Sequence, residues 1–515
     1  MAAWLGLRQR ATRVRRGLLA GILVLGGLCA GEHPCRAEDA NDDAAAPLLR
    51  YRTPERPHYF RVALEELALL GLGLGQYWYD RDQNSRDWQF NYDWASFRAR
   101  LDGTAYAFDT NGFDTNFLFH PTAGTLYYVT ARSNRFGPFE SLAIAFGTSA
   151  IWEFFGEFQE KISVNDVIVT PVAGMAWGET LTQLGAYFLR ECPSTSSQIL
   201  GTALAPFTAL HDAVDGAERL TVCDGESPSA HRFRLSLQGG ETWSEGHSPY
   251  PLLRVGLDTE VMHLPGFARL GTELSTFADG NVSRLGFNVS FTTPDSDAIS
   301  DLSFLTQTVV AGLHYRNNTL ERGELHRREA VFGVMVGAEY TRHRYDPSAD
   351  PDRVFLLDLP ALTTRYYGRT KDLGWELSLD VGGAFGGADS LVLSQAATRA
   401  YTPDLTSVAA AEGYNHVVGV TLSPRARLDL GVAQAGLEFR SDRLIGWRAL
   451  DRTGRLANSP IGELRRRSLA WISLGAPRLE RLLFSIGWTE RASSLGGLEA
   501  KRNELFVNLG LELAP

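Results

Sequence analysis

The sequence predicts an α+β membrane protein, in which an N-terminal helical domain is followed by a C-terminal antiparallel transmembrane β-barrel. Apolar residues recur at helical spacing from about residue 58 to 222, and from about residue 231 onward they alternate with polar residues. No apolar run beyond the N-terminus reaches the roughly 18 residues that a spanning helix needs. Any crossing of a membrane must therefore use strands, of which the spacing predicts about 12–14.

The alternation is clearest in two segments of the second half. Leu285, Phe287, Val289 and Phe291 are separated by polar residues or glycine, and the segment from Leu373 to Val381 repeats the pattern. Each strand then has one apolar and one polar face, which suits either a soluble sandwich or a barrel in lipid. Strand candidates of about 9–13 residues, and a chain that closes on a strand, favour the barrel over residues 231–515. We expect short connections such as Ser423-Pro424 between strands.

The N-terminus has the three-part layout of a secretory signal. Five arginines precede the apolar run Gly17 to Ala30, and Ala37 offers a small-residue cleavage site. We assign residues 1–37 to a cleaved signal peptide and residues 38–57 to a flexible segment. A lipid-attachment site at Cys29 is less well supported, because Leu28 before it is bulky.

Export and charge limit the partners. The net charge of −10 argues against nucleic acid, because phosphate binding needs concentrated positive charge. An exported barrel is expected in the bacterial outer membrane, with the bilayer, lipopolysaccharide and the barrel-assembly machinery as partners. An oxidising compartment favours a disulfide between Cys192 and Cys223, with two separate buried thiols as the alternative.

Residues 58–226 are assigned to the helical domain. Apolar spacing predicts one helix around Val62 to Leu74 and another over Phe139 to Phe158. A third helix is predicted over Pro171 to Leu189, with Pro171 in its first turn.

Polar residues are concentrated in this otherwise apolar half, and they support two interpretations. In the first, His120 acts as base or ligand and a glutamate with a raised pKa acts as general acid; the candidate catalytic residues are His120, Glu153, Glu157, Asp166 and Glu179. In the second, the cluster is structural: Glu153 and Glu157 pair with Arg132 or cap neighbouring helices, Ser163 or Asn165 is the N-cap of a turn, and His120-Pro121 begins a helix. The structural polar residues are Asn116, Tyr128, Arg132, Ser163 and Asn165. No His-Glu-x-x-His spacing is present, so we predict neither a metal nor a cofactor.

These residues also carry a resemblance. The motif N-x3-HP-x2-G-x2-YY-x3-R, in which the first residue is Asn116 and the last is Arg132, is followed by WE-x2-GE-x5-S-x-ND-x3-TP-x2-G-x3-GE, from Trp152 to Glu179. Together they resemble a bacterial family of exported and outer-membrane proteins known only as a domain of unknown function. The resemblance covers about residues 85–190 and implies a compartment but no activity.

The leading hypothesis is therefore an outer-membrane barrel with a structural, accessory or gated envelope role. Its helical domain would plug the lumen or dock against the periplasmic mouth. An envelope hydrolase acting on lipid or cell wall through His120 and the glutamates is one alternative, and a small-solute transporter is another.

Overall fold

The computed structural model describes residues 56–84, 91–108, 111–190, 195–217, 230–264, 266–292, 299–345, 351–393, 413–446, 460–475 and 480–513. The predicted signal peptide and both cysteines of the predicted disulfide, Cys192 and Cys223, lie outside these residues. No helix in the described ranges combines the length and apolar character needed to cross a membrane.

Helices make up the N-terminal part, which we call the helical unit. They are α1 (Tyr59–Asn84), α2 (Trp94–Leu101), α3 (His120–Ser133), α4 (Pro138–Ile151), α5 (Val164–Arg190), α6 (Thr195–Leu204) and α7 (Pro206–Asp215). Single π-helical segments, Thr115–Phe119 and Trp152–Gly156, precede α3 and follow α4, and the two-residue strands β1 (Tyr106–Ala107) and β2 (Ile162–Ser163) pair in parallel. The predicted start of the third helix at Pro171 is wrong, because α5 begins at Val164 and Pro171 lies inside it.

Strands make up the C-terminal part. They are β3 (Ala230–Ser244), β4 (Tyr250–Met262), β5 (Gly271–Phe277), β6 (Val282–Thr292), β7 (Ile299–Glu321), β8 (Glu324–His343), β9 (Asp352–Arg369), β10 (Gly374–Asp389), β11 (Tyr414–Asp429), β12 (Ala433–Gly446), β13 (Ile461–Leu474), β14 (Arg481–Leu495) and β15 (Leu498–Leu513). Twelve of these strands, all except β5, close into an antiparallel barrel in the described residues, since β15 pairs with β3 and β7 pairs with both β6 and β8. The predicted fold class is confirmed.

The prediction that Ser423-Pro424 connects two strands is wrong, because both residues lie within β11. Pro424 is opposite Leu379 of β10, and on the other side the pairing with β12 is interrupted between Leu422 and Arg425. Because proline has no N–H to donate, it fits a strand only where such a ladder bond is missing.

The alternation of apolar and polar residues along each strand distinguishes the outer face of the barrel wall from the inner face. On β10 the side chains of Leu377, Leu379 and Val381 are exposed, whereas Ser378 and Asp380 between them are buried. The wall therefore has an apolar outer face and a polar inner face, as in barrels that sit in lipid.

The lumen is crossed by ion pairs between opposite walls. Four such pairs join an inward arginine to an inward carboxylate five or six strands away in the ring, at N–O distances of 2.8, 3.3, 2.5 and 3.1 Å; they are Arg232–Glu376, Arg284–Glu438, Arg465–Glu339 and Arg491–Asp352. A cavity of about 280 Å³, lined by both charged and apolar side chains, remains among them. The lumen is thus largely filled by its own charged side chains.

The helical unit packs against the outer face of the wall. On α5, the Trp177 ring contacts Phe304 of β7 and Phe355 of β9 at centroid distances of 5.4 and 6.2 Å, and Thr180 bonds to Thr308 of β7 at 2.9 Å. Phe304 and Thr308 face outward, because they alternate with Gln307, which reaches Asp380 across the lumen. The described helices therefore lie outside the lumen, and the predicted place of the helical domain in the lumen is wrong.

Close contact between α3 and α5 holds the helical unit together. A Cβ atom on Gly124 of α3 would overlap the carbonyl oxygen of Thr170 in α5, and one on Gly174 would overlap the carbonyl of Gly124. The two backbones can therefore approach only because both positions are glycine.

We expect Gly124→Ala to destabilise the helical unit by about 2 kcal/mol or more, because the added methyl group must push the helices apart. Urea titration of the protein in detergent micelles, followed by far-ultraviolet circular dichroism, measures this change. Gly147→Ala on α4 is the matched control: nothing lies within 4 Å of the added Cβ, and alanine favours a helix over glycine by about 1 kcal/mol. Equal midpoints for the two variants would contradict the proposed packing.

Candidate functional site

The predicted polar residues separate into two groups in the structure. The first, which we call the Asp166 cluster, contains His120, Glu153, Ser163, Asn165 and Asp166 and lies at the N-terminus of α5. The second, the Glu179 cluster, contains Tyr128, Arg132, Glu179 and Gln183 and lies between α3 and the second half of α5. Neither group lies in the barrel lumen.

The Asp166 cluster is a chain of hydrogen bonds around a helix start. The Ser163 hydroxyl accepts the Asp166 backbone N–H at 3.1 Å and donates to the Asn165 side-chain oxygen at 3.1 Å. Ser163 is thus the N-cap of α5, as one interpretation predicted. The Asn165 amide donates to Asp166 at 2.9 Å, and Glu153 accepts the Ser163 backbone N–H at 2.9 Å.

His120 joins this cluster from the first residue of α3. Its Nε2 atom lies 3.7 Å from an Asp166 carboxylate oxygen, and its side chain is 15% exposed while that of Asp166 is 1% exposed. A histidine beside a buried carboxylate can hold and move a proton. The hydrogen bond that the Ser163 hydroxyl donates goes to Asn165, so the cluster does not show a serine activated by histidine.

The Glu179 cluster is a closed ion pair. Arg132 donates to both Glu179 oxygens, at 2.8 and 3.1 Å, and the Tyr128 hydroxyl and the Gln183 amide complete the shell at 2.8 and 2.5 Å. Burial raises the pKa of Tyr128, and the nearby Glu179 charge raises it further. Arg132 therefore pairs with Glu179, and the predicted pairing of Arg132 with Glu153 and Glu157 is wrong.

This pair also ties the helical unit to the barrel. Gln183 donates to the backbone oxygen of Asp279 at 2.7 Å, in the turn between β5 and β6. Gly280 in the same turn has a φ of +66°, and a Cβ atom there would overlap a Glu179 carboxylate oxygen. Glu179 is thus satisfied on every side, which suits a structural role better than acid or base chemistry.

Asn116 and Glu157 lie apart from both clusters. The Asn116 amide donates to the Tyr414 hydroxyl at 3.0 Å, on the outer wall of β11, so Asn116 helps to dock the helical unit. The Glu157 backbone oxygen accepts from Arg100 at 2.9 Å, and Arg100 also donates to the backbone oxygens of Glu153 and Phe158 at 2.8 and 2.7 Å. Arg100 thereby satisfies the carbonyl groups that the end of the π-helical segment leaves free.

Glu66 was missed by the sequence analysis. It lies on α1 with 6% of its surface exposed, next to the Thr148 hydroxyl of α4. Burial raises its pKa to about 8; Thr148 lowers the pKa by less, and the Glu65 charge adds to the rise. The acidic pair Glu65-Glu66 within an apolar helix was the available signal, since a carboxyl group on a helix that packs must find a partner or take up a proton. Among the described residues, no three His, Cys, Asp or Glu side chains are placed to hold a metal ion.

These features define an outer-membrane-type β-barrel protein that carries a helical unit on its outer wall. Residues 105–208 match the model of a family described as a domain of unknown function, DUF3943, which confirms the predicted resemblance to such a family. No curated protein matches the chain.

Solved barrel structures are similar to part of the chain. A loop-deletion mutant of OmpT, an outer membrane protein of Vibrio cholerae, is 10% identical and covers 56% of this chain and 100% of its own, with a TM-score of 0.19. An anion-selective porin from Comamonas acidovorans is 8% identical over 56% of this chain and 100% of its own, with a TM-score of 0.21. The translocator domain of the autotransporter NalP from Neisseria meningitidis is 12% identical and covers 59% of this chain and 92% of its own, with a TM-score of 0.19. At these TM-scores the likenesses carry no argument, and the barrel is established by its own strand pairings.

The stability of the helical unit should fall as the pH rises from about 4.5 to about 8. In this window folded Glu66 keeps a proton that the unfolded chain has released, so each pH unit costs up to about 1.4 kcal/mol. Glu66→Gln, which keeps the shape without the titration, should remove this part of the dependence. Urea midpoints from pH 5 to 9 measure it, with Glu65→Gln as the neighbouring control. Parallel pH curves for the wild type and Glu66→Gln would contradict the assignment.

Proposed function

We propose that this protein is an exported barrel of the bacterial outer membrane whose closed lumen serves as a rigid platform for the helical unit. The observation that carries the proposal is the set of ion pairs that join opposite walls of the lumen. An eight-stranded barrel is filled by side chains and a porin of 16–18 strands leaves a channel. With twelve strands, the contents of the lumen decide between the two.

The ends of the barrel give the proposal an orientation. Strands β7 and β8, β9 and β10, and β11 and β12 are joined by two to four residues at one end, where β3 also begins and β15 ends. At the other end the β10–β11 and β12–β13 connections are much longer. Short turns face the periplasm in bacterial barrels. The proposal therefore includes cleavage of the signal peptide, insertion by the barrel-assembly machinery, and lipopolysaccharide around the end with the long connections.

The full-length protein in a planar lipid bilayer should show no stable conductance, which also separates this proposal from a small-solute transporter. Replacing Arg284, Glu438, Arg465 and Glu339 together by alanine should produce conductance steps. This variant removes both members of two pairs and leaves the net charge of the lumen unchanged.

The control is the double variant Arg466→Ala with Glu490→Ala, an ion pair of 3.1 Å on the outer face. It should stay closed, and heat-modifiable gel mobility should show that both variants remain folded barrels. Stable conductance by the wild type would contradict a closed lumen.

A hydrolase acting on envelope lipid or cell wall is a second candidate, and the pair His120–Asp166 is the observation in its favour. Glu179 gives it no support, since that carboxylate is already fully bonded. Glu153 or Glu157 would have to supply the acid.

If the second candidate holds, the purified protein should release fatty acid from phospholipid vesicles, and His120→Ala should lower the rate by about 10²-fold or more, as for loss of a general base. The control is His326→Ala, near the start of β8 beside the β7–β8 turn, and this variant should leave the rate unchanged. Equal rates for His120→Ala and the wild type would remove His120 from any catalytic role.

A further inference from the structure

Helix α1 places its charged residues inward and its apolar residues outward. Arg61 bonds to Asp215 of α7 at 2.6 Å, Glu65 accepts from Asn134 at 2.6 Å, and Glu66 is buried. Between Tyr59 and Gly75 every exposed residue is apolar, aromatic or glycine: Tyr59, Phe60, Ala63, Leu64, Leu67, Ala68, Gly71, Leu72, Leu74 and Gly75. A helix whose outer side meets water has the opposite arrangement.

Helix α4 repeats this inversion. Its buried side contains Ser141, Thr148 and Ser149, whereas Phe139 and Ile151 on the other side are 52% and 49% exposed. Its exposed charge is Glu140, which caps the first turn through the Gly137 backbone N–H. Because both helices turn their polar side inward and their apolar side outward, we infer that the outer sides of both face the same apolar surroundings.

The two apolar faces belong to neighbouring helices. Ile144 of α4 packs against the cluster that contains Val62 of α1, and Glu66 of α1 lies next to Thr148 of α4. We call the combined surface the α1–α4 face. It exposes Phe60 at 77% and Leu72 at 73%, which is a large apolar area for a surface in water.

The barrel wall indicates what covers this face. On β8 the outward residues Phe332 and Val334 are exposed, and the next three outward residues, Val336, Ala338 and Tyr340, pack beneath the helical unit. On β10 the exposed Val381 is followed in the same way by Phe385, which packs against the unit. The helical unit therefore occupies part of a wall that is apolar on both sides of the boundary.

We propose that the α1–α4 face contacts the acyl chains of the same bilayer that surrounds the barrel. The helical unit is then a lipid-facing addition to the outer wall of the barrel. This inference rests on the proposed outer-membrane location. It assigns to the unit a partner, the acyl layer, that the barrel fold alone does not imply.

The test places a nitroxide label at single positions of the full-length protein through incorporated p-acetylphenylalanine, which leaves the native cysteines in place. The labelled protein is reconstituted in vesicles of phosphatidylethanolamine and phosphatidylglycerol, and its accessibility to oxygen and to a water-soluble nickel chelate is measured. The labels are at Leu67 of α1 and Ile151 of α4. Leu379 on the outer wall is the lipid control, and the exposed Lys161 of the helical unit is the water control.

The ratio of oxygen to nickel accessibility at Leu67 and Ile151 should rise to the value at Leu379 and exceed that at Lys161. If both labels match Lys161 while Leu379 remains in lipid, the inference fails and the barrel assignment stands. Low accessibility to both reagents at Leu67 and Ile151 would mean that a protein, such as a second copy, covers the face, and this also overturns the inference. Water-like accessibility at Leu379 itself would reject the outer-membrane proposal.

Discussion

The structure depends on the pairing of charges inside the barrel. A buried arginine or carboxylate costs several kcal/mol unless a partner of opposite charge lies beside it. Arg440 meets Asp358, Asp442 and Glu339, at 2.8, 2.9 and 3.2 Å, and Arg465 meets Asp442 and Glu339 from the next strand. Because these partners come from β8, β9, β12 and β13, they can meet only when the sheet is closed. Closure and charge pairing therefore require each other, and the outer face is left for apolar residues.

The helical unit follows the same rule at a smaller scale. Glu179 is buried beside the barrel, and it is stable there because Arg132, Tyr128 and Gln183 all bond to it. Gln183 then extends the network to the β5–β6 turn through the Asp279 backbone. Glu179, one of the candidate catalytic residues of the sequence analysis, is thus one of the places where the two parts of the protein are held together. The Asp166 cluster differs, since His120 at its edge is partly exposed.

Alternation predicted the barrel because it records, residue by residue, which side of the wall a side chain faces. It carries no information on which inward arginine meets which carboxylate, since those partners lie on strands far apart in the chain. In the helical unit likewise, the spacing of charged residues predicts a pairing of Arg132 with Glu153 and Glu157, whereas its partner is Glu179. Apolar spacing predicts α1, α4 and part of α5. It also predicts a helix start at Pro171, because the interior of a helix seldom accepts proline, whereas Pro171 lies inside α5. The place of the helical unit on the outer wall could not be predicted, because apolar residues such as Phe355 look the same whether they meet lipid or a helix.

The inverted helices explain why a buried, protonated Glu66 is compatible with a stable unit. In a soluble bundle the apolar side of α1 would face the core and Glu66 would lie in water, ionised and without cost. Here the apolar side is turned outward, so Arg61, Glu65 and Glu66 must all be accommodated inside. Arg61 and Glu65 find partners in Asn134, which directly follows α3, and on α7. Glu66 lies beside the Thr148 hydroxyl, and because burial raises its pKa, its carboxyl group takes up a proton instead. The raised pKa and the exposed leucines are thus two results of one arrangement, in which α1 is oriented by an apolar medium outside the protein.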